Sequence, residues 1–185
     1  TSTSFGSSVS FQTLMIPLLN PQAITIDNVD TFFQFPAQPP VGIVLLFHGC
    51  EHDGMHWFTL PEERAIVKFL LSHGYAVIAF SSQDREGSKC WDASFPASQN
   101  ADAVRVSQVF PRVLEKALGG DKGKRLPLYG IGASSGGIFV TIFHQLIPFH
   151  GMEIIVSPGN AKALTWAQEQ SQIKPRIAFV YMPKD

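Results

Sequence analysis

The decisive stretch of the chain is residues 126–147, which reads LPLYGIGASSGGIFVTIFHQLI. Its first part, Leu126–Ile131, is an apolar run typical of a buried strand. Its last part, Gly136–Ile147, is a nearly all-apolar run of helix length that Pro148 ends. The glycine-rich centre follows a strand and opens a helix, as a G-x-S-x-G nucleophile elbow requires. Because only small residues fit beside the serine in so tight a turn, the stretch predicts a strand, a turn with a serine at its tip, and a helix.

Two serines can occupy the tip of this turn. Ser134 has glycine two residues away on both sides, whereas Ser135 has Ala133 and Gly137 there. We therefore predict Ser134 as the nucleophile. The free N–H groups at the start of the following helix then face the negative charge that develops on an attacked carbonyl. The same residues also fit a turn without chemistry or a dinucleotide-binding loop, although the third glycine of the dinucleotide motif is missing.

Strand and helix segments alternate from residue 41 onward. Strands are predicted at Val41–Phe47, Tyr75–Phe80, Leu126–Ile131, Met152–Val156 and Arg176–Tyr181, and helices at Thr59–His73, Ala101–Leu118, Gly136–Ile147 and Ala161–Ile173. This order predicts the α/β class, with a doubly wound, mostly parallel sheet and helices on both faces. Ligands of such sheets bind beyond the carboxyl ends of the strands, where the serine turn falls.

Residues 1–40 are predicted as N-terminal strands and a linker of the same domain, and residues 41–185 as its core. Two strands, Val9–Leu19 and Ile24–Phe35, are separated by Asn20-Pro21. Proline residues then interrupt the chain just before the strong strand that begins at residue 41.

Two helices carry end signals of their own. Thr59 and Glu62 form a predicted capping box at the start of the helix that Gly74 ends. Pro111 lies inside the next predicted helix and is expected to kink it or to move its start.

Composition restricts the class of protein. The chain has 185 residues, 45% hydrophobic and 16% charged, which suits one domain around a buried parallel sheet. A formal net charge of −1 provides no basic surface for nucleic acid. No apolar run approaches the ~20 residues of a membrane-spanning helix, and residues 1–10 do not resemble a signal or transit peptide. These features predict a soluble protein, more consistent with the cytoplasm or an organelle than with secretion.

A second group of candidate residues follows the predicted strand Val41–Phe47. Here His48-Gly49-Cys50 enters a loop at the same edge of the sheet as the serine turn. An acyl-transfer site needs N–H donors for the oxyanion, and one would be the N–H of Ser135, directly after the nucleophile. The other should come from this loop, at or beside Cys50. His48 is interpreted as a structural residue that orders the loop through hydrogen bonds, not as the catalytic base.

A carboxylate follows the last predicted strand, in the sequence Met182-Pro183-Lys184-Asp185. A triad in the chain order Ser, Asp, His requires an acid at this point to orient the histidine and to stabilise its cation. We therefore predict Asp185 as the triad acid, with a solvated loop aspartate as the alternative.

Together these segments resemble the α/β-hydrolase superfamily from about residue 41 to the end of the chain. The likeness is to the small esterase, dienelactone-hydrolase-like or prolyl-peptidase-like branch, in which the elbow often reads G-x-S-x-G-G. The chain is also similar to uncharacterised plant and algal members. The segments that carry this second likeness are His48-Gly49-Cys50 with Trp57, Leu60–Glu63, Cys90-Trp91, Gly132–Gly137 and Met182–Asp185.

The resemblance implies a serine hydrolase that acts on a carboxylic ester or related acyl bond of a small molecule, without a metal or an organic cofactor. The triad histidine, the last strand and the last helix of the fold would follow Asp185, so the chain is interpreted as truncated at its C-terminus. All six histidines precede Asp185, and of these His52 and His56 could approach the site from the loop after His48-Gly49. A catalytically silent subunit of a larger protein assembly is the alternative.

The resemblance also bears on the two cysteines of the chain. In this superfamily the strands that precede Cys50 and Cys90 are neighbours, so a disulfide between the two residues is possible. Two reduced cysteines that serve as small apolar fillers are the alternative.

The segment between Val156 and Arg176 is too short for the large cap that some family members carry there. We therefore expect an open site bordered by loops with aromatic residues. These residues either grip an apolar part of a substrate or pack on the core; they are Trp57, Phe58, Trp91 and Phe95.

Overall fold

The computed structural model describes residues 17–119 and 126–181. Its strands are β1 (Gln22–Ile26), β2 (Val29–Gln34), β3 (Gly42–Phe47), β4 (Tyr75–Phe80), β5 (Leu128–Ala133), β6 (Gly151–Ile155) and β7 (Arg176–Val180). Its helices are α1 (His56–Thr59), α2 (Pro61–Ser72), α3 (Ala101–Leu114), α4 (Ser135–Phe143) and α5 (Ala161–Glu169). The alternation predicted from residue 41 onward is confirmed, because each expected strand and helix is present. The helices α3, α4 and α5 each end four residues before the predicted bound.

The seven strands form one sheet in the order β1-β2-β4-β3-β5-β6-β7. The pairs β1–β2 and β2–β4 are antiparallel, and all the other neighbouring pairs are parallel. From β3 the chain first moves outward to β4 and then returns to β5 on the other side of β3. The turns after β3 and β5 therefore lie side by side at the switch point, where doubly wound sheets bind their ligands.

Helices cover both faces of this sheet. Every residue of β3 is buried, and successive side chains pack into opposite layers. Leu45 and Phe47 join the cluster under α3, α4 and α5, while Val44 and Leu46 join the cluster under α1 and α2. The predicted fold class is confirmed. Within residues 17–119 and 126–181, no helix is long and apolar enough to cross a membrane.

The N-terminal strands differ from the prediction. A hairpin of β1 and β2 replaces the single strand expected over Ile24–Phe35, with a two-residue turn at Asp27-Asn28. Both turn residues have positive φ, 48° and 59°, as tight hairpin turns require and as aspartate and asparagine tolerate. Because the residues on both sides of the turn are β-prone, the sequence pattern did not indicate it. The predicted strand Val9–Leu19 lies mostly outside the described residues, and its described end, residues 17–19, is not in a strand.

The predicted capping box at Thr59 is wrong. Thr59 ends the short helix α1, and its Oγ1 donates to the Met55 carbonyl at 3.3 Å. The residue before α2 is Leu60, which provides no side-chain cap, and Pro61 is the first helical residue. Since proline lacks an N–H, one of the unsatisfied donors at this helix start is simply missing.

The start of α3 agrees with the prediction. Asn100 caps it, and its Oδ1 accepts a hydrogen bond from the N–H of Ala103 at 2.8 Å. Pro111 lies inside the helix and does not move its first residue.

Candidate active site

The turn between β5 and α4 has the geometry of a nucleophile elbow. Ser134 joins the strand to the helix with φ 52° and ψ −114°, a conformation that L-residues rarely adopt. Its N–H donates to the carbonyl of Ile155 in the neighbouring strand β6 at 2.9 Å, which holds the strained residue in place. Ser134 is exposed, whereas the Oγ of Ser135 is buried and has no hydrogen-bond partner among the described residues. The turn therefore presents the side chain of Ser134.

Two glycines allow this turn to form. A Cβ atom on Gly132 would lie 2.1 Å from the carbonyl oxygen of Gly136, so strand and helix touch across the turn. A Cβ atom on Gly136 would lie 2.2 Å from the carbonyl oxygen of Phe47, at the end of β3. Both contacts are with backbone atoms, which cannot rotate away as a side chain can. The elbow therefore packs directly against the end of β3, where the candidate oxyanion loop begins.

The loop after β3 runs directly past Ser134. The Cβ position that Gly49 leaves empty is 3.5 Å from the Cβ of Ser134 and 3.7 Å from the carbonyl oxygen of Ala133. The predicted neighbours His48-Gly49-Cys50 and Ser134 are therefore together at the carboxyl edge of the sheet.

Some backbone N–H groups near Ser134 already donate a hydrogen bond within the protein, whereas others have no acceptor. The N–H of Glu51 donates to the carbonyl of Ser88 at 2.7 Å and is not available to a ligand. The N–H groups of Cys50 and Ser135 have no acceptor in the described part of the chain. The N–H of Gly49 likewise has no acceptor among the described residues, so Gly49 and Cys50 both keep a free donor next to the elbow.

Cys50 and Cys90 form a disulfide, with their Cα atoms 4.2 Å apart. The predicted pairing is confirmed, and both cysteines of the chain are used. The bond ties the loop after β3 to the segment that follows β4.

The segment after β4 is ordered by a carboxylate that the sequence analysis did not single out. Asp84 accepts hydrogen bonds from the N–H of Gly87 at 2.7 Å, the N–H of Lys89 at 3.0 Å and the Oγ of Ser88 at 3.1 Å. The bond from Gly87 is the main cause that lowers the pKa of Asp84. An aspartate followed three residues later by glycine and then serine is a turn signal that could have identified this loop.

Both ring nitrogens of His48 form hydrogen bonds with backbone groups. The N–H of Ser82 donates to its Nε2 at 3.0 Å, so the proton of the neutral ring sits on Nδ1 and is donated to the Gly49 carbonyl at 2.6 Å. The side chain is buried, and this burial lowers the pKa of His48 to about 4. His48 therefore links β3 to the end of β4 as a neutral ring, and neither nitrogen is free to accept a proton from Ser134.

This neutral ring predicts a loss of stability in acid. Below its ordinary pKa of 6.5 the unfolded chain takes up a proton on His48, whereas the folded chain does so only near pH 4. The free energy of unfolding should therefore fall between about pH 6.5 and pH 4, by about 3 kcal/mol from His48 alone. Urea unfolding at about pH 7.5 and about pH 4.5 measures this loss.

A His48→Gln variant is the control for this prediction. His144 and Glu153 also have shifted pKa values, lowered and raised respectively by burial, but both are present in the variant. The wild type and the variant should therefore differ in how much free energy of unfolding they lose in acid, and this difference reports on His48 alone. An equally large loss of stability in His48→Gln would show that this ring is not its source.

His52 lies beside the serine turn, as the sequence suggested. Its Nδ1 is 3.8 Å from the same empty Cβ position at Gly49 that the Cβ of Ser134 approaches. The ring of His56 meets that of His52 edge to face, with centroids 4.9 Å apart, and the Nδ1 of His56 is 2.9 Å from Asp53 Oδ1. No hydrogen bond joins His52 to Ser134 among the described residues.

A buried serine–histidine pair, Ser171 and His144, lies away from the elbow. The N–H of Phe149 donates to His144 Nδ1 at 2.8 Å, so Nε2 carries the proton and donates to Ser171 Oγ at 3.0 Å. Ser171 donates in turn to the Ile173 carbonyl at 2.7 Å. The histidine in this buried pair is a donor to the serine, which is the reverse of what activation of a nucleophile requires.

The predicted acid, Asp185, lies outside the described residues. In the part of the chain that is described, no three histidine, cysteine or carboxylate side chains converge as ligands for a metal ion.

The aromatic residues of the loops are mostly core residues. Trp57, Phe58 and Trp91 are buried, and Trp91 stacks on Phe139 of α4 with ring centroids 4.3 Å apart. Phe95 is half-buried and lines a separate groove of about 490 Å³ beside α5. Of the two expected roles, contact with a substrate or packing on the core, the three buried residues therefore have the second.

Comparison with known proteins identifies the fold. No family model and no curated protein sequence matches the chain. Among solved structures, it is similar to an acetyl xylan esterase from Aspergillus awamori, with 16% identity and a TM-score of 0.65 over 86% of this chain and 71% of the esterase. It is also similar to a predicted CIB-like hydrolase from Thermoplasma acidophilum, with 16% identity and a TM-score of 0.54 over 90% of this chain and 88% of the hydrolase.

A third similar structure is a thermostable carboxyl esterase from Bacillus coagulans, with 15% identity and a TM-score of 0.52 over 80% of this chain. The chain spans 49% of that esterase, or about half its length. At such low identities the likeness concerns the fold, and the sheet order, the elbow and its two glycines agree with it. The chain therefore has the α/β-hydrolase fold, as its resemblance to that superfamily predicted.

Proposed function

We propose that this protein is a serine hydrolase of carboxylic esters or related acyl bonds of small molecules, with Ser134 as its nucleophile. The observation that carries this proposal is the position of Ser134, exposed and strained at the tip of the elbow, beside the free N–H groups of Cys50 and Ser135. Esterases among the structures of similar fold support an ester as the bond that is cleaved.

In the proposed reaction, Ser134 Oγ attacks the carbonyl carbon of the ester and gives its proton to a histidine. The carbonyl oxygen becomes an oxyanion and accepts hydrogen bonds from the N–H groups of Cys50 and Ser135. The tetrahedral intermediate collapses, and the leaving alcohol takes the proton from the histidine. Water then attacks the acyl ester on Ser134 and loses a proton to the same histidine. The second tetrahedral intermediate collapses to the free acid, and Ser134 Oγ takes that proton back from the histidine.

The histidine of this proposal is not His48, because both of its ring nitrogens are engaged by backbone groups. We propose that it follows Asp185 in the full-length protein and that Asp185 orients it. Because the acyl group is held covalently by the serine, the proposed steps need no metal and no organic cofactor.

Covalent labelling tests this proposal. The full-length protein is treated with a fluorophosphonate probe, digested, and analysed by mass spectrometry to find the modified residue. We expect the probe on Ser134, with none after prior denaturation of the protein. A probe on Ser135 would contradict the assignment of the nucleophile, and no labelling at all would favour the alternative of a catalytically silent subunit.

A further inference from the structure

We infer that the Cys50–Cys90 disulfide is a redox control of the oxyanion site, so that its reduction by a dithiol lowers the rate of ester hydrolysis while the fold persists. This inference rests on the proposed function, because it concerns the N–H of Cys50 as an oxyanion donor. It starts from one juxtaposition: Cys50, one of the two loop residues with a free N–H beside Ser134, is itself one end of the disulfide.

The backbone on both sides of this disulfide is in a conformation that L-residues disfavour. Glu51, next to Cys50, has φ 64°, and Lys89, next to Cys90, has φ 53°. Such a conformation persists only where other contacts impose it. Here the disulfide and one hydrogen bond, from the N–H of Glu51 to the Ser88 carbonyl at 2.7 Å, join the two segments. Loss of the disulfide leaves that hydrogen bond as the one direct link, in the described part of the chain, between the residues beside Cys50 and the segment before Cys90.

The surroundings of the disulfide are anchored independently of it. The hydrogen bonds to Asp84 hold the segment before Cys90, and Ser82 Oγ donates to the Lys89 carbonyl at 3.0 Å. On the other side, His48 links the end of β3 to Ser82, and β3 pairs with β4 along its whole length. Reduction should therefore free the short loop that carries the Cys50 N–H without separating the strands beneath it.

Both cysteines are only partly buried, and their neighbours Glu51 and Ser88 are exposed, so a small dithiol can reach the bond. One thiolate of the dithiol attacks a sulfur of the protein disulfide and forms a mixed disulfide. The second thiolate then displaces the protein sulfur. Two protein thiols and one oxidised dithiol result, so two electrons and two protons pass from the dithiol to the protein.

The test compares oxidised and reduced full-length protein. Dithiothreitol is added, free thiols are counted, and kcat and KM are measured with a p-nitrophenyl ester, before and after reoxidation. We expect two new thiols, a fall in kcat of about 100-fold as for the loss of one oxyanion donor, little change in KM, and recovery on reoxidation. The Cys50→Ala/Cys90→Ala variant should have the low kcat under both conditions, which controls for effects of the reductant elsewhere.

Hydrogen exchange measured by mass spectrometry provides a second readout that does not depend on turnover. Reduction should increase exchange in peptides that contain residues 49–51, while peptides from β3 and β4 stay protected. Two new thiols with unchanged kcat would overturn the inference, and so would global loss of protection, which would make the bond a general structural cross-link. Absence of esterase activity and of probe labelling in the oxidised protein would instead contradict the proposed function.

Discussion

Replacement of Ser134 by alanine should reduce ester hydrolysis by about 10⁴-fold or more, the size of effect seen when a serine hydrolase loses its nucleophile. The reason is that the alanine variant cannot form the acyl ester, while the N–H groups of Cys50 and Ser135 remain in place. The measurement is kcat of the full-length protein with a p-nitrophenyl ester, with the free energy of unfolding determined in parallel. Stability should change little, because the Ser134 side chain is exposed.

Ser135→Ala is the matched control. Its Oγ is buried without a hydrogen-bond partner among the described residues, so alanine removes an unsatisfied polar atom, and the variant should be as stable as the wild type or slightly more stable. The N–H of residue 135 is retained, so the proposed oxyanion donor is intact and kcat should stay within about threefold of the wild type. If Ser135→Ala were inactive and Ser134→Ala active, the nucleophile would be Ser135.

The elbow was predictable because its constraints are local. Gly132 and Gly136 are needed by the tight contact of one strand, one helix and the end of β3, and glycine at both positions is visible in the sequence. The fully apolar β3 likewise indicated a strand buried on both faces. The alternation of strands and helices then implied a parallel sheet, which brings the loop at Cys50 to the serine turn.

Other features depend on contacts that no local pattern contains. The turn at Asp27-Asn28 interrupts a β-prone run, and only the pairing of β1 with β2 distinguishes a hairpin from one long strand. Thr59 sits three residues before Glu62 as in a capping box, but the preceding helix α1 already uses its hydroxyl. Trp91 lies in a loop, yet it is buried because Phe139 of α4 provides a surface for it.

Gly136→Ala should lower the free energy of unfolding by more than about 4 kcal/mol. Few point mutations destabilise a protein this much. The new Cβ atom would lie 2.2 Å from the Phe47 carbonyl oxygen and 2.6 Å from that of His48, both of them backbone atoms. Because no side chain can move aside, either α4 or the end of β3 must shift. A shift of β3 would break the hydrogen bonds of the buried His48 ring, and a shift of α4 would pull Ser134 away from Cys50.

Gly151→Ala is the control for this prediction. The nearest atoms to its Cβ position are Tyr129 Cδ1 at 3.3 Å and the Arg176 carbonyl oxygen at 3.4 Å. The first distance is slightly tight, but it is to a side chain, which needs to shift by only a few tenths of an ångström. In strand β6 the alanine also restricts the unfolded chain, so the change should stay within about 1 kcal/mol. Urea unfolding measures both variants, and labelling with the fluorophosphonate probe reports on the elbow. If Gly136→Ala were as stable as Gly151→Ala and still labelled, the end of β3 would not be packed against the elbow as described.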